Sequence, residues 1–259
     1  MSTALAIASG KGGVGKTTIA VNLALTQALT QKCLLLDADM GMANAHILLG
    51  INPTTTINEV IKGQKSLEST IIKAPGNLEF LSGGSGITEL LSIESKNKYN
   101  FIRSFDSLSN SFKHLIIDVS AGADDTALSM ISASDKVLIV LVNEPTSFMD
   151  AFTLIKVCNL ELKFKNFCVA VNMASSENSG KKTFNKFNSI VTKFYDVNID
   201  YVGSILTMPD IKNSVLDKKP VVLNKKNKGM QSLFQRILKN INNSPFNKNN
   251  GIKFFNSNF

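Results

Sequence analysis

Short apolar runs recur along the chain and are separated by stretches in which polar residues predominate. The runs are rich in β-branched residues, which favour strands. They are Ala4–Ala8, Cys33–Leu36, Leu78–Leu81, Leu115–Val119, Val137–Val142, Phe167–Val171 and Tyr201–Ile205. Continuous apolar strands that alternate with helices are typical of a parallel sheet covered on both faces. The pattern therefore predicts an α/β fold with a doubly wound, mostly parallel central sheet flanked by helices on both faces.

Three segments outside these runs carry apolar residues at helical spacing. They are Thr17–Thr30, Phe184–Phe194 and Gly229–Ile241, and we expect the apolar stripe of each to pack on the sheet. No internal repeat is visible, and the chain becomes polar and rich in Asn after Ile241. The pattern therefore predicts one domain over residues 1–241 and a flexible polar tail over residues 242–259.

The composition narrows the class of protein without identifying it. Of the 259 residues, 44% are hydrophobic and 19% are charged, a globular balance, and no apolar stretch reaches the length that spans a bilayer. Three cysteines without a C-x-x-C pair argue against a disulfide framework and against zinc or iron–sulfur sites. The net charge of +8 suits nucleic acid or an anionic membrane, although biased use of Lys and Asn explains it equally well. We expect a cytoplasmic protein.

The first candidate functional residues lie in the predicted turn after the first apolar run. Residues 10–17 read G-K-G-G-V-G-K-T, which fits the phosphate-binding pattern G-x-x-x-x-G-K-[ST] between a strand and a helix. Glycines allow the backbone to wrap around an anion, Lys16 can reach the β- and γ-phosphates, and Thr17 offers a hydroxyl to Mg²⁺. The expected nucleotide contacts are Gly10, Lys11, Gly12, Gly13, Val14, Gly15, Lys16, Thr17 and Thr18.

Carboxylates follow or end two other predicted strands. Asp37 and Asp39 come directly after Cys33–Leu36, and Asp118 lies within Leu115–Val119. Ligands of open α/β sheets bind at the carboxyl ends of the strands. A charged side chain in a buried strand is costly unless it has a partner, and a metal shell would supply one for Asp118.

The second lysine in the loop leads to a resemblance. The segment K-G-G-V-G-K-T over residues 11–17 resembles the deviant phosphate loop of the MinD/ParA family of P-loop ATPases. The resemblance implies ATP and Mg²⁺ as cofactors and an ATP-dependent homodimer in which Lys11 reaches the phosphates of the partner's nucleotide. It also implies that Asp37 and Asp118 hold the Mg²⁺ shell and that Asp39 positions the attacking water. The implied catalytic residues are Lys11, Lys16 and Asp39.

The same resemblance suggests where the adenine lies. In MinD-like proteins an asparagine after the strand equivalent to Phe167–Val171 bonds the adenine edge, which implies this role for Asn172. Many relatives follow it with an arginine that stacks on the base, whereas this chain has Met173. The segment with Pro209 and Asp210 resembles the one that closes over the other side of the base.

Further segments are similar to the FlhG/FleN/YlxH branch of this family. Residues 37–50 read D-A-D-M-G-M-A-N-A-H-I-L-L-G, and residues 143–150 read N-E-P-T-S-F-M-D. This branch regulates flagellar number and placement, which implies flagellar assembly proteins, an FlhF-like GTPase and a C-ring component, as partners. Members commonly carry an N-terminal D-Q-A-x-x-L-like segment that activates the GTPase, and residues 1–8 do not contain it.

The tail is the candidate for membrane contact. Ile252, Phe255 and Phe259 could share one face of a short helix, which predicts a membrane-interacting segment behind a polar linker. Buried Phe and Ile side chains contribute roughly 1.5–3 kcal/mol each, so two tails in a dimer would bind better than one. The protein would then be peripheral on the inner membrane.

Three alternatives remain open from the sequence. A MinD-type division-site regulator has the same chemistry with other partners. A ParA-type DNA partition ATPase would use the basic charge on DNA phosphates, although nucleic acid is the less favoured partner. A binding module that keeps nucleotide without hydrolysing it is disfavoured, because both lysines and all three carboxylates are present.

Overall fold

In the computed structural model, residues 2–39, 44–84, 95–224, 226–247 and 251–255 are described. The strands form one eight-stranded sheet in the order β3-β4-β2-β5-β1-β6-β7-β8. All neighbouring pairs are parallel except β3 and β4. The strands are β1 (Thr3–Ala8), β2 (Cys33–Ala38), β3 (Ile72–Lys73), β4 (Glu79–Ser82), β5 (His114–Val119), β6 (Lys136–Leu141), β7 (Asn166–Ala174) and β8 (Asn198–Leu206).

Helices connect the strands and cover the sheet. They are α1 (Lys16–Ala28), α2 (Ala45–Leu49), α3 (Ile57–Ile61), α4 (Leu67–Thr70), α5 (Ser95–Ser104), α6 (Asp125–Ser132), α7 (Pro145–Leu160), α8 (Glu177–Phe194), α9 (Pro209–Leu216) and α10 (Lys228–Asn243). Short 3₁₀ turns lie at Phe105–Leu108 and Val221–Leu223. Among the helices of the described ranges, none is long and apolar enough to cross a membrane.

The two faces of the sheet have separate cores, because successive side chains of a strand point to opposite sides. In β1, Ala4, Ala6 and Ala8 contribute to a core that includes residues of α6, α7 and α8. Leu5 and Ile7 contribute to the other core, which includes residues of α1 and α10. The predicted doubly wound, mostly parallel fold is confirmed.

Some apolar positions of the predicted helices lie at the surface. Leu29 follows the end of α1 and is 56% exposed, so the first helix is shorter than predicted. In α8, Phe184 and Phe187 are buried, whereas Ile190 is 44% and Phe194 is 63% exposed. The apolar residues of α8 have the predicted helical spacing, but their stripe is wider than the face of the helix that is buried against the sheet.

The described part of the tail differs from the prediction of a flexible segment. Asn247 bonds the backbone of Lys165 and Asn166 through its side-chain amide. Further on, Phe254 and Phe255 are buried, and the Phe254 amide donates to the Ala133 carbonyl. Asn side chains here replace water as partners of the backbone, and two aromatic rings join the core. These residues therefore belong to the folded domain.

This packing also affects the predicted membrane segment. The ring of Phe254 contacts Phe105 edge-to-face, with ring centroids 4.9 Å apart, and Ile252 packs against the same core. Phe255, which we predicted on a membrane-facing surface, is only 6% exposed. Phe259 lies outside the described residues. In this conformation the described part of the tail contributes its apolar groups to the protein interior.

Candidate functional site

The loop between β1 and α1 lies at the carboxyl edge of the sheet and has the form of an anion cradle. Gly13 and Gly15 have φ of +80° and +86°, the left-handed region that favours glycine. A β-carbon built on Gly12 or Gly13 meets no atom within 4 Å, so the loop faces open space. Main-chain amides in such a turn, together with the start of α1, suit a phosphate group.

Lys16 meets two of the predicted carboxylates beneath this loop. It is the first residue of α1 and is 6% exposed. Its Nζ lies 2.5 Å from Asp118 Oδ1 and 3.4 Å from Asp39 Oδ2. The structure therefore brings together three residues that are far apart in sequence, at the point where phosphates would enter.

One carboxylate oxygen of Asp118 is free to bind a ligand. Its second oxygen, Oδ2, is buried and has no hydrogen-bond partner among the described residues. Burial raises the pKa of Asp118, and the Lys16 cation and a hydrogen bond with Thr17 oppose that rise. Mg²⁺ in nucleotide sites takes one or two carboxylates together with phosphate oxygens. An orphaned carboxylate oxygen beside a threonine hydroxyl fits that ion.

Asp37 lies beside Asp118 in the sheet, because the two residues are register partners on β2 and β5. Its carboxylate accepts hydrogen bonds from the amides of Asp39 and Ala45, at 3.2 and 3.1 Å. Burial and the neighbouring Asp118 nevertheless raise the pKa of Asp37 to about 7. Two acids buried side by side favour a divalent cation between or near them.

Lys11 has different surroundings from Lys16. Its Nζ lies 2.8 Å from Glu144 Oε2 and 3.2 Å from Thr146 Oγ1, at the start of α7. The Lys11 side chain is 39% exposed, and that of Glu144 is 56% exposed. The two lysines of the loop therefore have different surroundings. Lys16 is buried among the carboxylates, and Lys11 lies at the protein surface.

Helix α7 supports the loop directly, a contact that no local sequence pattern predicts. A β-carbon built on Gly10 would lie 2.1 Å from the carbonyl carbon of Asp150, so only glycine fits against this helix. Glu144, Thr146 and Asp150 fall in the segment that resembled the flagellar branch. Their spacing alone gave no indication of contact with a loop more than a hundred residues away.

A cleft of about 380 Å³ lies next to the loop, at the end of β7 where we predicted a contact with the nucleoside. Gly15, Thr18, Asn172 and Met173 line one part of it, and most of the remaining lining residues belong to β8, α9 and the turn between them. The Asn172 amide nitrogen donates to the Val14 carbonyl at 2.7 Å. Asn172 therefore lies beside the phosphate loop and its amide nitrogen already holds that loop. Its contact with the adenine stays a prediction.

Asp210 lies elsewhere. It accepts a hydrogen bond from Asn227 Nδ2 and lines a separate cleft on the other side of α9. Pro209 is the first residue of α9, and neither residue is among those that line the cleft beside the loop. This differs from the predicted adenine contact, since the side chains that α9 contributes there are Ile211, Lys212, Val215 and Leu216.

A buried lysine and carboxylates beneath a glycine loop, at the carboxyl edge of a parallel sheet, define a P-loop NTPase. The ParA family, described as an iron-transfer P-loop NTPase (NUBPL), matches residues 1–242. The chain belongs to this family of P-loop NTPases, and membership implies ATPase activity.

Two curated relatives cover most of the chain. The antiactivator FleN of Pseudomonas aeruginosa is 36% identical over 84% of this chain and 78% of its own length. The flagellum site-determining protein YlxH of Helicobacter pylori is 30% identical over 83% of this chain and 73% of its own length. These similarities support an ATPase regulator of the MinD/ParA type.

Solved structures confirm the fold. MinD in the MinC:MinD complex of Aquifex aeolicus has a TM-score of 0.76 at 24% identity, covering 96% of this chain and all of that chain. MinD with Mg-ADP from Pyrococcus horikoshii has a TM-score of 0.73 at 21% identity, covering 94% of this chain and 97% of that chain. At these identities the likeness concerns the fold.

Proposed function

We propose that this protein is a molecular switch that dimerises with ATP, hydrolyses it with Mg²⁺, and regulates flagellar number and placement. The observation that carries the proposal is the separation of the two loop lysines. Lys16 is buried among carboxylates that fit Mg²⁺, whereas the partners of Lys11 among the described residues lie at the surface. A surface lysine is available to the nucleotide of a second copy.

The chemistry then divides between the two copies. Lys16, Thr17, Asp37 and Asp118 bind the phosphates and Mg²⁺ within one copy, and Asp39 positions the attacking water. A lysine delivered from the other copy stabilises charge that develops on the phosphate in the transition state. Hydrolysis thereby depends on dimerisation, which is what a switch requires.

A mixing experiment tests the role of Lys11 in trans. Lys11→Ala and Asp39→Ala chains are each expected to hydrolyse ATP very slowly. In a mixed dimer, the nucleotide of the Lys11→Ala chain has an intact Asp39 and receives Lys11 from the partner. Random mixing should therefore recover about a quarter of the wild-type rate per chain.

The matched control mixes Lys11→Ala with the double variant Lys11→Ala/Asp39→Ala, which offers no Lys11 from either chain and should recover nothing. Dimerisation of each mixture with ATP is measured by light scattering. If mixed dimers form but no activity returns, Lys11 does not act across the interface.

The flagellar role rests on the similarity to FleN and YlxH. We propose that the ATP-bound dimer acts at the inner membrane on flagellar assembly proteins, including an FlhF-like GTPase and a C-ring component. Pull-downs with these proteins, beside MinC- and MinE-like proteins, test this assignment. Binding that requires ATP and prefers the division proteins would favour the MinD-type role instead.

Membrane binding through the tail would have to expose residues that now lie in the core. Vesicles of anionic lipid and random duplex DNA, each offered with ATP and with ADP, separate the remaining options. Lys181, Lys182, Lys186 and Lys193 are exposed along α8 and offer cations to either surface. ATP-dependent, salt-sensitive binding to DNA alone would favour the partition role.

A further inference from the structure

Two methionines line the cleft beside the phosphate loop, and they come from different elements. Met173 lies near the end of β7, and Met208 immediately precedes α9. Both line the cleft together with Gly15 and Thr18 of the loop and its helix. Met173 is 52% exposed and Met208 is 36% exposed, so both thioethers can be reached from solvent.

The backbone of Met173 is strained in a way that points to a role. Its φ of +54° lies in the left-handed region, which is unfavourable for a residue with a β-carbon. Its Cε is 4.0 Å from where a β-carbon of Gly15 would be. Strain of this kind persists where the surroundings enforce it, and it clusters at ligand clamps. In this conformation the end of the Met173 side chain lies close to Gly15, immediately before α1.

We propose that Met173 and Met208 hold the nucleoside base between two thioether side chains, and that oxidation of these sulfurs weakens nucleotide binding. The proposal rests on the proposed function, because it takes the cleft as the place of the base of a bound nucleotide. A base has two flat apolar faces, and the polarisable sulfur of methionine makes favourable contacts with aromatic rings.

Apolar side chains predominate in the lining of the cleft, and its polar side chains are those of Thr18, Asn172, Thr207 and Lys212. The Asn172 amide nitrogen is already engaged by Val14. From α9, Ile211, Val215 and Leu216 extend the apolar wall. Most of the contact with the base is therefore apolar, and its strength depends on the walls of the cleft remaining apolar.

Oxidation would change that property directly. A peroxide transfers one oxygen atom to the thioether sulfur, giving methionine sulfoxide, while the peroxide is reduced to water or an alcohol. The sulfoxide is polar and must be desolvated to cover the base. Thiols compete weakly for the peroxide, because all three cysteines are buried and burial raises the pKa of Cys158 to about 12 and of Cys168 to about 11.

The test measures the dissociation constant of Mg-ADP by calorimetry before and after treatment with hydrogen peroxide. The variants are Met173→Leu/Met208→Leu, which keeps the volume of both side chains, and the control Met149→Leu. Met149 is 64% exposed on α7 and does not line the cleft. Peroxide should raise the dissociation constant about tenfold in wild type and in Met149→Leu, and should leave the double variant unchanged.

Peptide mass spectrometry gives a readout that is independent of affinity. Bound Mg-ADP should protect the sulfurs of Met173 and Met208 from oxidation, while Met149 oxidises at the same rate with and without nucleotide. Equal affinity after both sulfurs are converted, or equal sensitivity of the double variant, would overturn the proposal. Failure of the untreated protein to bind Mg-ADP would overturn the proposed function as well, so the two failures are distinguishable.

Discussion

Two lysines, Lys16 and Lys136, are buried to the same extent at opposite edges of the sheet, each 6% exposed. Lys16 faces the carboxylates of Asp118 and Asp39. Lys136, the first residue of β6, donates to the carbonyls of Ile241, Asn242 and Ser244 at 2.7, 2.8 and 2.7 Å. Those carbonyls lie at the end of α10, where the helix dipole favours a cation.

The difference shows that burial of a charge does not by itself identify a functional residue. The partners of Lys16 are carboxylates, which Mg²⁺ can bind in place of the lysine, and phosphate can replace the carboxylates beside Lys16. Its contacts can therefore be exchanged when a ligand arrives. The partners of Lys136 are neutral main-chain groups that use all three of its protons. The surroundings of Lys16 suit ligand binding, whereas Lys136 satisfies carbonyl groups at the end of a helix.

The largest expected effect is on nucleotide affinity when Lys16 is removed. Lys16→Ala should raise the dissociation constant of Mg-ADP about a thousandfold, since a buried charge-assisted contact with phosphate is lost. Lys136→Met should bind as wild type, because it lies at the other edge of the sheet. Calorimetry on both variants checks this contrast, and binding by Lys16→Ala within tenfold of wild type would contradict it.

Removing Lys136 should instead reduce stability. Lys136→Met keeps the stem of the side chain but removes a donor from three carbonyls. The Ile241 carbonyl still accepts from the amide and the hydroxyl of Ser244, whereas those of Asn242 and Ser244 have no other donor among the described residues. Each unsatisfied buried group costs about 1–3 kcal/mol. Allowing for partial access of water, we expect a loss of about 3 kcal/mol in the free energy of unfolding, measured with urea. The exposed Lys193→Met is the control and should change it by less than about 0.5 kcal/mol.

The smallest effect concerns the pH dependence of the nucleotide-free protein. The pKa of Asp37 is about 7 in the fold against 3.8 in the unfolded chain, so the folded state holds a proton that the unfolded state has lost. This contribution to stability is complete below about pH 4 and is lost as the pH rises towards 7. The group should make the protein about 2 kcal/mol less stable at pH 8 than at pH 5.

Asp37→Asn should flatten this dependence. The slope is the readout rather than the absolute stability, because the amide nitrogen of Asn cannot accept the hydrogen bond that one of the two backbone amides donates. Asp217→Asn, at an exposed position of the same charge, should leave the slope as in wild type. An unchanged slope in Asp37→Asn would mean that Asp37 does not carry the proton.

Much of the fold and the core of the site follow from local patterns. Seven strands have apolar runs that are unmistakable because both faces of a parallel sheet are buried. The phosphate loop is recognisable because its glycines and Lys16 are required at fixed spacing. Only the helices α1, α8 and α10 were predicted individually. The helices α5, α6, α7 and α9 were not, and α2, α3 and α4 are too short to be predicted, since four or five residues have no helical stability without tertiary contacts.

The parts that escaped prediction depend on contacts between distant segments. The Asn-rich tail was expected to be flexible, yet Asn247 binds backbone groups of Lys165 and Asn166. The contact between Lys11 and Glu144 of the same chain joins residues that no local sequence pattern connects. Asp210 was placed by resemblance at the base, and a bond to Asn227 holds it on the other side of α9.

Both described ends of the chain lie at the amino edge of the sheet. The Ser2 hydroxyl donates to the carbonyls of Ser109 and Phe112, and Phe254 is tied to Ala133. A fluorescent protein or affinity handle fused ahead of Ser2 would thus emerge on the side opposite the phosphate loop and leave the carboxyl edge of the sheet unobstructed. At the other described end, Phe254 and Phe255 are buried in the core. Imaging and purification are therefore better served by a front-end fusion.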